Sequence, residues 1–169
     1  MSLDGKSVRE IVGFTRENTE KNPDAWLESA EQFHRAALLL CDEKQDGVTF
    51  PYFFVAGMSL ELLLKAILVK RGSVPKTTHN LKRLCTDCGI KVSEEHGRAL
   101  TLLTEMIIWS GRYPVPNTSK EWDEYHDAKL EEHILRSRQG NVSVTRLNPK
   151  TFPGIAVYLS IWKQIREIY

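Results

Sequence analysis

Apolar and polar residues alternate along most of the chain with a period near that of an amphipathic helix. The clearest case begins at Asn22-Pro23-Asp24, where an N-cap residue, a proline and a first-turn acid stand in the order that opens a helix. Asp46-Gly47 is predicted to end this helix. The apolar stripe between these two signals is formed by Leu27, Ala30, Phe33, Ala37, Leu38 and Cys41.

The segment from about Pro51 to Arg71 is apolar on nearly every face, which predicts the central and most buried helix. Gly72 is predicted to stop it, and a loop containing Pro75 follows. Two charged residues, Glu61 and Lys65, lie within its apolar stretch. They favour a buried core helix over a membrane span.

The remaining segments also have helical signals. Thr118 and Glu121 form a capping-box pattern ahead of a mostly polar helix. The alternation of valine with polar residues in 141–146 is too short to predict a sheet. The predicted helices cover about Ser7–Asn18, Asn80–Cys88, Ser93–Ser110, Thr118–Arg138 and Thr151–Tyr169, the last with Ile155, Tyr158, Leu159, Trp162 and Ile165 inward.

These patterns predict an all-α fold, an up-and-down bundle of about five to seven helices. Residues 1–21 are predicted to form an arm or short helix, and residues 22–169 a single domain. The hydrophobic fraction of 41% and the charged fraction of 27% are ordinary for a globular protein. The first ten residues lack the apolar core of a signal peptide, and an odd number of cysteines favours reduced thiols. We therefore expect a cytoplasmic protein with no membrane partner.

The net charge of +1 conceals a segmental pattern. Residues 62–86 contain six bases and no acid, and residues 133–169 contain six bases and one acid. Residues 1–61 carry 11 acids and 6 bases, and residues 87–132 carry 10 acids and 5 bases. If the two basic segments come together in space, they could bind a phosphate backbone. Alternatively, acidic and basic helices could simply pair with each other.

Glu61 and Lys65 are the most informative polar residues, because residues four apart share one helical face and this face is otherwise apolar. A buried charge needs a partner, so the two could satisfy each other and fix helix packing. Alternatively, they face a cleft or a dimer seam. His79 could be structural or catalytic, and the Arg112 guanidinium, ahead of Tyr113, would suit a phosphate.

Other classes of site have little support in the sequence. Cys85 and Cys88 form a lone C-x-x-C without the second ligand pair that zinc needs, so core packing explains them better. No Walker, Rossmann or nucleophile-elbow motif is present, and we expect no metal and no cofactor. His34 is interpreted as a core histidine. The acids of Glu121–Glu132 look like a solvated face, and we attribute the spacing of His126 and His133 to chance.

Three short motifs carry a family likeness. They are Ala56-Gly57-Met58-Ser59-Leu60-Glu61-Leu62-Leu63-Leu64-Lys65-Ala66, then Thr78-His79-Asn80-Leu81, then Arg112-Tyr113-Pro114. In this order, over roughly residues 22–114, the chain resembles the HEPN family, the higher eukaryotes and prokaryotes nucleotide-binding domain. That family typically has a small residue, Glu, three residues and Lys-Ala, then His-Asp/Asn-Leu, then Arg-Tyr-Pro.

The resemblance implies a helical bundle that forms a homodimer, with a polar cleft near the dimer seam. Many members are ribonucleases of toxin–antitoxin and phage-defence systems, and others bind nucleotides or pair with a nucleotidyltransferase. Residue by residue, it places Glu61, Lys65 and Tyr113 in the cleft. Arg112 and His79 become the candidate catalytic residues.

The chain departs from the nuclease members, which carry Arg, four to six residues, then His. The first histidine after Arg112 is His126, and seven residues separate Arg71 from His79. We therefore expect a domain that binds RNA or a nucleotide in a bacterial toxin–antitoxin, stress or phage-defence setting. Two alternatives stay open: a metal-independent ribonuclease using Arg112 and His79, and a non-catalytic bundle for dimerisation and for binding a nucleotidyltransferase or antitoxin partner.

Overall fold

Capping side chains set where the main helices begin. In the computed structural model, which describes residues 5–41, 49–74, 77–140 and 142–169, the side chain of Asn22 accepts a hydrogen bond from the Asp24 amide. Ser93 accepts one in the same way from His96, and Thr118 and Glu121 form a reciprocal capping box. These three predicted helix starts are confirmed.

The described elements confirm the all-α class and add one small hairpin. The helices are α1 (Gly5–Ile11), α2 (Arg16–Glu20), α3 (Pro23–Leu40), α4 (Thr49–Lys70), α5 (Leu81–Asp87), α6 (Glu94–Glu105), α7 (Ser119–Glu124) and α8 (Ile155–Arg166). The strands are β1 (Ile134–Gln139) and β2 (Val142–Leu147). The predicted turns at Asp46-Gly47 and Pro75 lie outside the described residues.

Helix α4 is the centre of the core. It is long and apolar enough to cross a membrane, but 78% of its most apolar window is buried inside the fold. Its leucines Leu60, Leu63 and Leu64 are fully buried. α3 packs along one side, the C-terminal part of α6 along another, and α8 closes the bundle through Tyr158 and Ile161. A buried central helix is therefore what the sequence pattern predicted.

Two apolar stripes were placed slightly wrongly. Leu38 on α3 and Leu159 on α8 are exposed, whereas Val157 and Ile161 on α8 are buried. The hydrophobic period alone cannot fix the edge of a stripe, because neighbouring helices decide how wide the buried face becomes. The buried face of α8 is consequently rotated slightly from the predicted one.

The N-terminal segment is broken rather than continuous. The sequence pattern predicts one helix over Ser7–Asn18, but α1 and α2 are separated at Gly13, whose φ of +72° suits glycine. Thr15 then caps α2 by accepting a hydrogen bond from the Asn18 amide. Neither short helix contains a buried residue. The domain boundary at residue 22 stays a prediction.

The largest departure from the predicted elements follows α7. A helix was expected to reach about Arg138, but α7 continues only as a π-helical turn, Tyr125–Leu130, and a short 3₁₀ turn, Glu131–His133. β1 and β2 then pair antiparallel, with Ile134 opposite Leu147 and Arg138 opposite Ser143. Gly140 has a φ of +61°, a turn conformation that glycine adopts without strain. The described part of this alternating pattern, residues 142–146, therefore belongs to a hairpin strand.

Candidate functional site

The two charges of α4 form a buried ion pair. Lys65 donates a hydrogen bond from Nζ to Oε1 of Glu61 at 2.7 Å, and both residues are buried. Their spacing of four residues puts them on adjacent turns of one helical face. The ion pair offsets most of the desolvation free energy that either charge would cost alone in the core.

His79 completes this group. Its Nδ1 lies 2.9 Å from Oε2 of Glu61, so both oxygens of the carboxylate are engaged. The imidazole side chain is 48% exposed. Asn80, the next residue, caps α5 by accepting a hydrogen bond from the Arg83 amide. The Glu61–His79 contact therefore ties the start of α5 to the middle of α4.

Arg112 and Tyr113 lie elsewhere. The Arg112 guanidinium donates to the carbonyl of Ile108 and lies 6.0 Å from the ring centroid of Phe54 and 5.2 Å from that of Tyr113. Phe54 precedes Glu61 by seven residues on α4, which is about 10 Å along the axis of an α-helix. The structure thus brings Glu61, Lys65 and His79 together. No hydrogen bond or ion pair among the described residues joins Arg112 to them.

Arg112 instead lines an open cleft of about 510 Å³ between the end of α6 and the start of the α7 region. Helix α6 runs on here as a π-helical turn, Met106–Ser110, and such turns often occur at functional sites. We call this cavity the aromatic cleft. It is lined by Phe50, Trp109, Ser110, Gly111, Arg112, Tyr113, Pro114, Trp122, Tyr125, His126 and Leu130.

The walls of the aromatic cleft are held by ring contacts. Trp109 meets Tyr125 edge to face at 5.0 Å between centroids, and Trp122 lies 4.2 Å from the ring of His126. Burial raises the pKa of Tyr125, whose hydroxyl accepts a hydrogen bond from Ser110, so the phenol is neutral at ordinary pH. The cleft therefore presents aromatic surfaces beside one permanent cation, Arg112.

Trp122, Tyr125 and His126 were not predicted to share a site. They lie three and four residues apart, which puts them on one face of a helix, and this was the available signal. The many acids between Glu121 and Glu132 obscured it by suggesting a solvated face. The two histidines noted there also differ: His126 lines the aromatic cleft, whereas His133 is buried beside Thr151. Burial lowers the pKa of His133.

The other candidate residues have structural environments. His34 bonds through Nδ1 to the Tyr158 hydroxyl at 2.6 Å and stacks on Trp162 at 4.1 Å. Burial lowers the pKa of His34.

The cysteines of the C-x-x-C motif are also in the core. Burial raises the pKa of Cys85 to about 12 and that of Cys88 to about 11, so both thiols stay neutral and serve packing. In the part of the chain that the structure describes, no group of three or more His, Cys, Asp or Glu side chains could hold a metal ion.

A family model described as the HEPN domain matches residues 23–136, which is more than half of the chain. The match extends beyond Pro114 to include α7 and the π-helical turn that carries His126. Comparison with curated proteins and with solved structures gives no match.

Proposed function

The chain belongs to the HEPN domain family, and from this premise we propose that it binds RNA or a nucleotide through the aromatic cleft. One observation carries the proposal: the Arg112 guanidinium and several aromatic rings line the same open cavity. Bases stack on aromatic side chains regardless of sequence, and arginine is well suited to phosphate. A cavity of about 510 Å³ lies within the usual range for small-ligand sites.

The charges around the cleft support an anionic ligand. Asp123, Glu124 and Asp127 are exposed, but none of them lines the cleft. Trp122 and His126 face it from the same part of the chain. The acids of this region therefore do not stand between Arg112 and a bound phosphate.

Arg112→Ala is expected to weaken binding of a fluorescently labelled single-stranded RNA oligonucleotide by about 10- to 100-fold, the usual value of a hydrogen bond to a charged group. Arg112→Lys should bind with intermediate affinity, because a lysine keeps the charge but not the planar fork. Fluorescence anisotropy at several salt concentrations measures both effects.

Arg35→Ala is the matched control, since Arg35 is exposed on α3 and does not line the cleft. An Arg112→Ala variant that binds as tightly as Arg35→Ala would remove the cleft from the proposal. RNA affinity that does not change with salt would count against a phosphate ligand altogether.

RNA cleavage is the second candidate function. The sequence-based ribonuclease hypothesis pairs Arg112 with His79. The structural observation that favours cleavage is that His126 lines the same cleft as Arg112. Histidine is the common general acid or base near neutral pH, and arginine stabilises charge on phosphate. Cleavage that disappears in both Arg112→Ala and His126→Gln, with His126→Gln still binding RNA, would establish this function. Binding without cleavage would leave the first proposal standing.

We further propose that the protein is a homodimer formed through the open face of α4. On this face Phe54, Val55, Met58 and Leu62 are only partly buried, and Ile108 beside it is 44% exposed. Contiguous exposed apolar surface commonly marks a protein–protein contact. The aromatic cleft begins beside Phe54, so a second copy on this face would stand next to the ligand.

Met58→Glu is expected to convert the dimer into a monomer, with a tenfold or greater loss of self-association, because an unpaired charge would have to be buried. Light scattering coupled to size-exclusion chromatography measures the mass. Val142→Glu, an equally apolar-to-acidic change at an exposed hairpin residue, is the control and should stay dimeric. A Met58→Glu protein that stays dimeric contradicts this choice of face.

The biological setting is proposed on the family resemblance alone. We propose a cytoplasmic role in bacterial toxin–antitoxin, stress or phage-defence systems, with a nucleotidyltransferase or antitoxin chain as the second partner. The competing hypothesis is a non-catalytic bundle for dimerisation and partner binding. It predicts that Arg112→Ala changes assembly or stability, and that the protein does not bind RNA at any salt concentration.

A further inference from the structure

Among the described bases of segment 62–86, only Lys65 forms an ion pair with an acid. Lys65 pairs within α4, while Lys70 and Arg71 donate to the backbone carbonyls of Tyr169 and Cys88. Lys82 and Arg83 on α5 are exposed, and their side chains form no hydrogen bond or ion pair with any described residue. Two adjacent cations are thus available to an anionic ligand.

These two cations line a second cavity of about 440 Å³, which we call the basic pocket. It is bounded by Asn80, Lys82, Arg83, Thr86, Thr101, Thr104, Glu105 and Lys129. Its single acid, Glu105, is neutralised by Lys129 at 2.7 Å. Lys82 and Arg83 therefore supply an uncompensated positive charge with several free N–H donors.

The basic pocket adjoins the aromatic cleft. The Glu105 carboxylate bonds Lys129 of the pocket through Oε1 and accepts from Nε1 of Trp109, in the cleft wall, through Oε2 at 3.1 Å. Thr101 in the pocket and Arg112 in the cleft are eleven residues apart along α6 and its π-helical turn, roughly 16 Å of axis. At the roughly 3.4 Å spacing of a stacked strand, about five phosphates cover that length.

We propose that the basic pocket is a second phosphate subsite for the RNA strand whose base occupies the aromatic cleft. This proposal rests on the proposed RNA binding at the cleft and specifies its substrate as an oligonucleotide of about five or more nucleotides. A mononucleotide reaches one subsite only. Lys82 and Arg83 contact phosphates, and they add affinity without sequence preference.

The test compares oligouridylates of two and eight nucleotides by fluorescence anisotropy. Lys82→Ala combined with Arg83→Ala is expected to weaken binding of the longer RNA at least tenfold and to leave the shorter one within twofold. The slope of log affinity against log salt should flatten by about 1.4 for the longer RNA, which corresponds to two lost contacts with a single strand. Both residues are exposed, so the variant should fold, and its thermal midpoint verifies this.

Lys91→Ala combined with Lys150→Ala removes the same charge from exposed positions outside both cavities and serves as the control. Unchanged binding of the longer RNA by the Lys82/Arg83 variant, or an equal loss in the control, overturns the second subsite. If Arg112→Ala still weakens both RNAs, the proposed function survives that failure. If the wild-type protein binds neither RNA, the proposed RNA binding at the cleft fails and the second subsite with it.

Discussion

Glu61→Ala is expected to lower the free energy of unfolding by about 3–5 kcal/mol, the usual effect of removing one partner of a buried ion pair. The Lys65 ammonium would stay in the core without its 2.7 Å partner, and His79 would lose the contact that ties α5 to α4. Urea unfolding monitored by circular dichroism gives the free energy directly.

Two further variants identify the cause of this loss. Glu94→Ala removes an acid whose pair with Arg98 is also four residues apart but whose side chain is 79% exposed, and it should cost less than about 1 kcal/mol. Glu61→Leu combined with Lys65→Leu removes both buried charges and should regain much of the loss. A Glu61→Ala protein no less stable than Glu94→Ala would mean that the pair contributes little.

Glu61→Ala also separates the two interpretations of the Glu61–Lys65 pair. If Glu61 only fixes helix packing, the folded fraction of Glu61→Ala still binds RNA through Arg112. If Glu61 faces the ligand, affinity per folded molecule also falls. The geometry favours packing, because both carboxylate oxygens are already engaged and the carboxylate is buried.

Local signals in the sequence were sufficient for most helix starts. Asn22, Ser93 and Thr118 act within three residues of themselves, so neighbouring sequence determines their role. The Glu61–Lys65 pair is similarly local, since one helical turn joins them. The proximity of His79 to Glu61 required the family resemblance, because a loop and a change of helix separate them.

What the sequence could not predict depends on packing between distant segments. His126 reaches the aromatic cleft because Tyr125 packs on Trp109 of the α6 extension, sixteen residues away. The distance between Arg112 and His79 depends on where α6 crosses α4. Hydrophobic period and capping motifs contain neither kind of information. The sequence therefore grouped Arg112 with His79, whereas the structure places Arg112 in the aromatic cleft and His79 beside Glu61.

Gly111→Ala is expected to cost about 2–3 kcal/mol and to weaken RNA binding, because the added methyl group has no space. Its Cβ would lie 2.6 Å from the backbone oxygen of Met106 and 2.8 Å from the Cβ of Phe54, neither of which can swing aside. Gly111 has a φ of −82°, so any loss reflects packing and not backbone strain. The Arg112 wall of the cleft must then move away from α4.

Gly97→Ala is the matched control, because the nearest neighbour of the added methyl group is the flexible end of Lys82 at 3.7 Å. Alanine in place of glycine inside a helix should stabilise the protein by about 0.5–1 kcal/mol. Urea unfolding measures the change in the free energy of unfolding for each variant. Changes of opposite sign establish the close approach of the α6 extension to α4, and changes of equal sign contradict it.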